Sequence, residues 1–345
     1  MPNVDKDKII FVVGNSRSGT TLMGNVLGNG PDIFTFEELH FFDHVIASDS
    51  PTSELSVDRA LAIATQLSSY QASDWLTPED PQLFLEEAKE IVAEAQATGL
   101  TPASVFQQFL SYKSCQSGKT IACEQTPQNV FHLQELLTLY PQSYVINMVR
   151  DPRDVLLSQK NKWKIRFLGA SNIPLSEALR AWSNYHSAVT SKLWNAAVHA
   201  AEKFQDHPRV KTVRFEDLVK DADAVVQAVC EFTQSPFYPE MMNISQAEGG
   251  VSSHKKISKS GARGIDPGVA SRWKKGGLLG AEVHVCQSIA AKNMEKHDYP
   301  IEPIDTLSKY LSVLLFIFLP FKLSLALLLN LNRIGNLSEA IKRRL

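Results

Sequence analysis

Gly14, Gly19 and Thr21 are spaced as in the anion-binding pattern G-x-x-x-x-G-K-[ST], within KIIFVVGNSRSGTTLMGNVLG, Lys8 to Gly28. Glycines keep side chains out of the way, so successive backbone N–H groups can converge on an anion at the positive end of a following helix. Arg17 adds a fixed, fork-shaped charge. The chemistry on offer is the capture of a phosphate-like group. Thr20 stands where the pattern has lysine, which argues against an ordinary ATPase or GTPase. The loop needs a strand before it and a helix after it. Ile9 to Val13 is a short apolar, β-branched run, and from Thr21 the residues Leu22, Met23, Val26 and Leu27 recur at helical spacing.

A second pair of anion ligands lies more than a hundred residues on, in YVINMVRDPRDVLLSQ. Arg150 ends a buried-strand run from Ser143 to Val149, Pro152 suits the first turn of a helix, and Ser158 lies along that helix. Read by itself, Arg150 is equally a partner for Asp151 or Asp154. With SRSGTT also present, the two stretches resemble the motifs of sulfotransferases that use 3′-phosphoadenosine-5′-phosphosulfate (PAPS), of the carbohydrate and protein-tyrosine type. The chain looks like a bacterial or cytosol-facing member. The resemblance implies that Arg17, Ser18, Gly19, Thr20 and Thr21 hold the 5′-phosphosulfate, and that Arg150 and Ser158 hold the 3′-phosphate. It also implies transfer of a sulfuryl group to a hydroxyl of a carbohydrate, glycolipid or lipid-like acceptor, with no metal. Basic residues near the end of the family's domain contact the 3′-phosphate, which puts Arg263, Lys274 and Lys275 forward in the Gly- and Lys-rich stretch from Val251.

A base is expected in TFEELHFFD, Thr35 to Asp43. Phe34, Phe36, Phe41 and Phe42 flank Glu37 and Glu38, an apolar wall expected to raise a carboxylate's pKa toward neutrality. An ungapped match to the family places the catalytic glutamate on Glu38, with His40 as the rival; Glu37 reads rather as a surface residue of a loop, and His40 reads equally well as one. Many relatives have Glu-Lys-Thr-Pro where this chain has Glu124-Gln125-Thr126-Pro127. The catalytic cation must then be Arg17 or another basic group, or turnover is slower. Lys160, Lys162, Lys164 and Arg166, interleaved with Trp163 and Phe167, face either a nucleotide, an anionic acceptor or solvent.

Around these residues, 345 amino acids with 44% hydrophobic and 21% charged residues make an ordinary folded protein. A net charge of −2 gives no global basic field for nonspecific nucleic-acid binding. Cys115, Cys123, Cys230 and Cys286 form no metal-ligand spacing and read as reduced, buried thiols. Strands alternate with helical stretches, so the expected fold is α/β, P-loop-type and three-layered, with a mostly parallel central sheet. The catalytic domain is expected over residues 1–300, with a helical insertion at about 44–118, and an apolar and amphipathic tail over 301–345. Leu175 to Phe204 reads as one long helix whose aromatics belong to the core.

Without a long apolar run before the first strand, the protein is expected in the cytoplasm, peripheral to or tail-anchored at a membrane. Leu311 to Leu329 is apolar enough to span a bilayer, yet Pro320 and Lys322 sit near its middle; docking on the catalytic domain or a partner subunit is the alternative. The sequence after it ends in Lys342, Arg343 and Arg344, as an interfacial helix on an anionic leaflet would. Two further readings stand beside the enzyme. One is a decayed nucleotide-binding protein marked by Gln125, and the other is a P-loop kinase, weakened by Thr20 and by the want of a magnesium-binding aspartate after an apolar strand.

Overall fold

The computed structural model describes residues 8–47, 49–73, 75, 78–164, 174–243 and 267–330. Arg263, Arg166, Phe167 and the basic end of the tail lie outside the described residues. Five runs rich in β-branched and aromatic side chains form one sheet: β1 (Ile9–Gly14), β2 (Ile33–Thr35), β3 (Ile121–Glu124), β4 (Tyr144–Val149) and β5 (Val210–Arg214). Their order is β2-β3-β1-β4-β5 and every neighbouring pair is parallel. The chain leaves β1 toward one edge and returns later on the other side. That reversal opens a crevice at the carboxyl end of β1.

Helices cover both faces. α1 (Thr20–Gly28) joins β1 to β2, and α2 (Val57–Ala72), α3 (Leu85–Gln96) and α4 (Pro102–Gln116) form the expected insertion before β3. α5 (Leu133–Leu139) leads into β4, and α6 (Pro152–Asn161), α7 (Leu175–Asn184) and α8 (Ser187–Glu202) lead from it to β5. α9 (Phe215–Lys220), α10 (Ala222–Phe232), α11 (Gly280–Lys296) and α12 (Thr306–Asn330) follow. Local chemistry marks several starts: Asp151 caps α6 ahead of Pro152, and Thr101 with Ser104 forms a reciprocal cap ahead of α4. Alternation along β1 divides the core in two. Ile9, Phe11 and Val13 face the insertion, whereas Ile10 and Val12 face α1 and α10.

Three expectations change. The turn after α1 feeds a strand, β2, short enough to escape a pattern search; Lys119 Nζ fixes that corner by donating to the carbonyls of Gly28, Gly30 and Ile33 at 2.9, 2.9 and 2.7 Å. The helix expected over Leu175 to Phe204 breaks at Tyr185 and His186, because His186 Nδ1 accepts the Ala188 N–H and caps a new helix. Trp194 is core, but Trp182 is 40% exposed. Among the cysteines, Cys115 is exposed and the other three are buried.

α12 packs along α7 and α11. Lys322 Nζ donates to the carbonyls of Trp182 and Tyr185 at 3.0 and 3.3 Å and sits 3.7 Å from the centre of the Trp182 ring. The lysine that a bilayer centre would penalise is satisfied at the C-terminus of α7.

The Phe41 ring stacks on Phe106 of α4 with centroids 4.2 Å apart, joining the insertion to the loop that carries Glu38. Both are fully buried. Phe106→Ala is expected to lower stability by about 3 to 5 kcal/mol, measured by denaturant unfolding.

Candidate active site

The crevice is built from strand ends. Gly14 closes β1 against β4, where any Cβ would collide with the Met148 carbonyl. Arg17 (φ 75°) and Gly19 (φ 98°) then turn the chain through left-handed conformations into α1. A Cβ at Gly19 would stand 2.5 Å from the Phe215 ring. Among the described residues no side chain caps α1, which leaves its first N–H groups without an internal partner. Ser18 Oγ is buried with no hydrogen-bond partner among the described residues.

Two of the sequence motifs meet here. Arg17 Nε donates to Ser158 Oγ at 2.9 Å, and Arg150 Nη1 donates to the Arg17 carbonyl at 3.3 Å. Arg150 lies 4.2 Å from the centre of the Phe215 ring, and its Nη2 donates to the Val269 carbonyl at 2.8 Å. Its Nε is buried and has no partner among the described residues. The alternative partnership is only loose: Asp154 is 3.8 Å from Arg150, whereas Asp151 forms a close pair with Arg153 at 2.7 Å. Burial lowers the pKa of both Arg17 and Arg150, and the two charges repel. Lys274 is not drawn in; its Nζ pairs with Glu302 at 2.7 Å on the surface. Its neighbour Trp273 instead donates its backbone N–H to Asp154 at 2.9 Å.

Glu38 follows the end of β2 and feels the charge of Arg17. Burial alone would raise its pKa, as expected from the flanking phenylalanines. The hydrogen bond from His40 and the charges of His40, Lys162 and Arg17 outweigh burial and hold the carboxyl below its ordinary range. The expectation of a raised pKa is therefore wrong in sign. His40 is buried, not a surface residue: its Nε2 is 3.2 Å from Glu38 Oε2 and its ring lies 4.4 Å from Trp75. Its backbone takes a left-handed conformation (φ 47°) and donates its N–H to Thr126 Oγ1 at 3.2 Å.

Beneath this lies a fully buried acid. Glu124 accepts the Thr126 N–H at 3.1 Å, the Thr126 hydroxyl, and Asn129 Nδ2 at 2.7 Å; burial pushes its pKa up to about 7 against those hydrogen bonds. Gln125 is buried beside α1 and brings no charge. The nearby amine is Lys162, just past α6. Burial, and after it the Arg17 charge, pushes Lys162 down to about 8, while Glu38 pulls the other way. Sequence reading had Lys162 only as one of four interleaved basic residues, with nothing in their spacing to single it out. Phe215, at the end of the strand expected from Val210, and Trp273, in SRWKKGG, carry no pattern that would single them out as site residues.

Residues 10–240 match the family model described as "Sulfotransferase family", and the chain belongs to that family. It is 23% identical over 180 residues to human "Sulfotransferase 2A1", covering 46% of this chain and 61% of that one. To "Nodulation protein NoeE" of Sinorhizobium fredii (strain NBRC 101917 / NGR234) it is 24% identical over 228 residues, covering 64% of this chain and 48% of that one. The chain spans less than two thirds of the length of either relative. A sulfotransferase domain from the curacin biosynthetic pathway superposes with a TM-score of 0.48 at 21% identity, covering 86% of this chain and 99% of that one. One from the olefin synthase of Synechococcus PCC 7002 gives 0.47 at 19%, covering 83% and 94%.

A lysine is cationic below its pKa and neutral above it, so Lys162 loses its charge as pH rises through about 8. On the reading that PAPS is the donor, its affinity, measured by calorimetry, is expected to fall by roughly tenfold between about pH 7 and about pH 9, and Lys162→Arg is expected to flatten that profile. A flat profile in the unaltered protein would remove Lys162 from the donor's surroundings.

Proposed function

We propose that this protein transfers a sulfuryl group from PAPS to a hydroxyl of a carbohydrate, glycolipid or lipid-like acceptor. The observation that carries the reading is the closure of two motifs, 141 residues apart at the Arg17–Ser158 hydrogen bond, on one crevice at the carboxyl ends of the strands. The residues present fit an anionic nucleotide. An uncapped helix start, the Ser18 hydroxyl and Arg150 Nε are donors without protein partners among the described residues. The donor supplies the sulfuryl group, and its loss leaves 3′-phosphoadenosine-5′-phosphate (PAP).

The loop from Arg17 to Thr21 holds the reacting end, and Arg150 with Ser158 holds the 3′-phosphate. Glu38, ionised at neutral pH, accepts the acceptor's hydroxyl proton. His40 fixes the carboxylate's direction. Lys162 and Arg17 offset charge at the reacting end, in the role that many relatives give to the lysine replaced here by Gln125. The kinase reading has Thr20 against it, and the decayed-site reading is weakened by a cation that remains at the site.

PAP is expected to raise the melting temperature, by the equivalent of about 2.7 kcal/mol at a hundredfold excess over Kd, with ATP-magnesium doing little. Arg150→Ala should abolish that rise. A response to ATP-magnesium alone, or to neither ligand, would overturn the donor assignment. Glu38→Gln is expected to cut sulfuryl transfer by roughly 10²- to 10⁴-fold while leaving PAP stabilisation intact, read with a labelled-sulfur donor. Retained turnover would remove Glu38 as the base.

A further inference from the structure

α12 is built inside out. Beyond its first turn, most of its polar residues lie against α7 and α11: Ser312 and Asn330 are buried and Lys322 is bound to two carbonyls, while Ser324 is exposed. From Leu311 on its outward residues are apolar apart from Ser324, with Ile317 64%, Phe318 64%, Phe321 63% and Leu328 66% exposed. An 18-residue stretch of this helix has a mean hydropathy of 2.3, and 11% of it is buried. At 25 residues the helix is roughly 37 Å long, so the apolar face runs well beyond an ordinary surface patch. Polar groups turned toward protein and large apolar groups turned away is the distribution demanded by an apolar exterior.

The helix is also tied down flat. Asn330 accepts from Arg180 Nη1 at 3.1 Å and donates to Asn184 Oδ1 at 3.0 Å, and His186 Nε2 donates to the Leu315 carbonyl at 2.9 Å. With Lys322, these contacts fix α12 at its middle and its C-terminal end against α7. α11, on its other flank, exposes Lys292, Glu295 and Lys296 and cannot follow it into hydrocarbon. An upright, spanning helix would lose all of these contacts. The sequence that follows carries Arg333, Lys342, Arg343 and Arg344 against one acid, Glu339, which complements anionic lipid headgroups.

The same end of α12 is linked to the crevice through α7. Lys162 feels the charges of Arg17 and Glu38 and also those of Arg180 and Glu177 on α7, and Arg180 in turn holds Asn330. Leu175, Leu179 and Trp182 of α7 continue the exposed apolar surface beside this line of charge. We propose that α12 and the exposed side of α7 lie in the interfacial layer of a bilayer. The hydroxyl that Glu38 serves then belongs to an amphipathic lipid presented from that bilayer. The second half rests on the sulfotransferase reading above.

The test uses the full chain with preformed vesicles of phosphatidylcholine and phosphatidylglycerol, and of phosphatidylcholine alone. The protein should float with both, more strongly with the anionic set. The double variant Phe318→Glu, Phe321→Glu should bind at least about a hundredfold more weakly while keeping its stabilisation by PAP, which shows that it is folded. Protein that stays at the bottom of the gradient, or a dimer that hides this face and does not float, overturns the membrane placement. Labelled-sulfur transfer is then followed to a glycosyl diacylglycerol, a sterol and a long-chain diol in those vesicles, beside the same head groups without chains. Label should enter a vesicle lipid and fall in the double variant. Equal label on chain-free heads in both proteins, or none on any of them, overturns the lipid acceptor. Loss of PAP stabilisation in the unaltered protein would instead overturn the sulfotransferase reading itself.

Discussion

Two guanidinium groups of like charge, Arg17 and Arg150, are drawn together into a crevice where burial disfavours both. Glu38 offsets part of this for Arg17, and Asp154 and Glu216 do so for Arg150, from the ends of other elements. Much of the fold can be understood as what holds these charges in place. The parallel sheet delivers every strand end to the same edge. Gly14 and Gly19 allow the loop to pass close to Met148 and Phe215, and the Phe215 ring lies against Arg150. A site that keeps cations close together with donors left open is complementary to a multiply charged anion.

What could be read from the sequence was whatever depended on neighbours along the chain. The loop from Gly14 to Thr21 and the strand ending at Arg150 each carry their own pattern, and both stand where the pattern put them. The insertion of α2, α3 and α4 was visible in its helical period. β2 was not, because three residues after a turn give no alternation to count. The sign of the Glu38 shift could not be read either. Its flanking phenylalanines are local, but the charge of Lys162 arrives from beyond α6, across the fold. The break between α7 and α8 has the same origin: the apolar period runs on, while the His186 ring caps the second helix.

The tail shows composition and position pulling apart. By length and hydropathy α12 qualifies as a span, yet Lys322 and Asn330 spend their polarity on α7. Only the pairing of each polar residue with a particular carbonyl or amide distinguishes a helix lying on the protein from one leaving it. That pairing is invisible in a hydropathy profile.

Glu124 has a thermodynamic consequence of its own. A carboxyl held at about 7 in the folded protein, against roughly 4 in the unfolded chain, binds its proton more tightly when folded. The stability it contributes is fully present below the unfolded value and is lost as pH rises through the folded one. At neutral pH the acid that anchors Thr126, and through it the backbone of His40, is thus a source of instability beneath the reacting groups. Mild acidification protonates Glu124 and so adds to the stability of the fold, while Glu38, held below its ordinary range, stays ionised and able to act as a base.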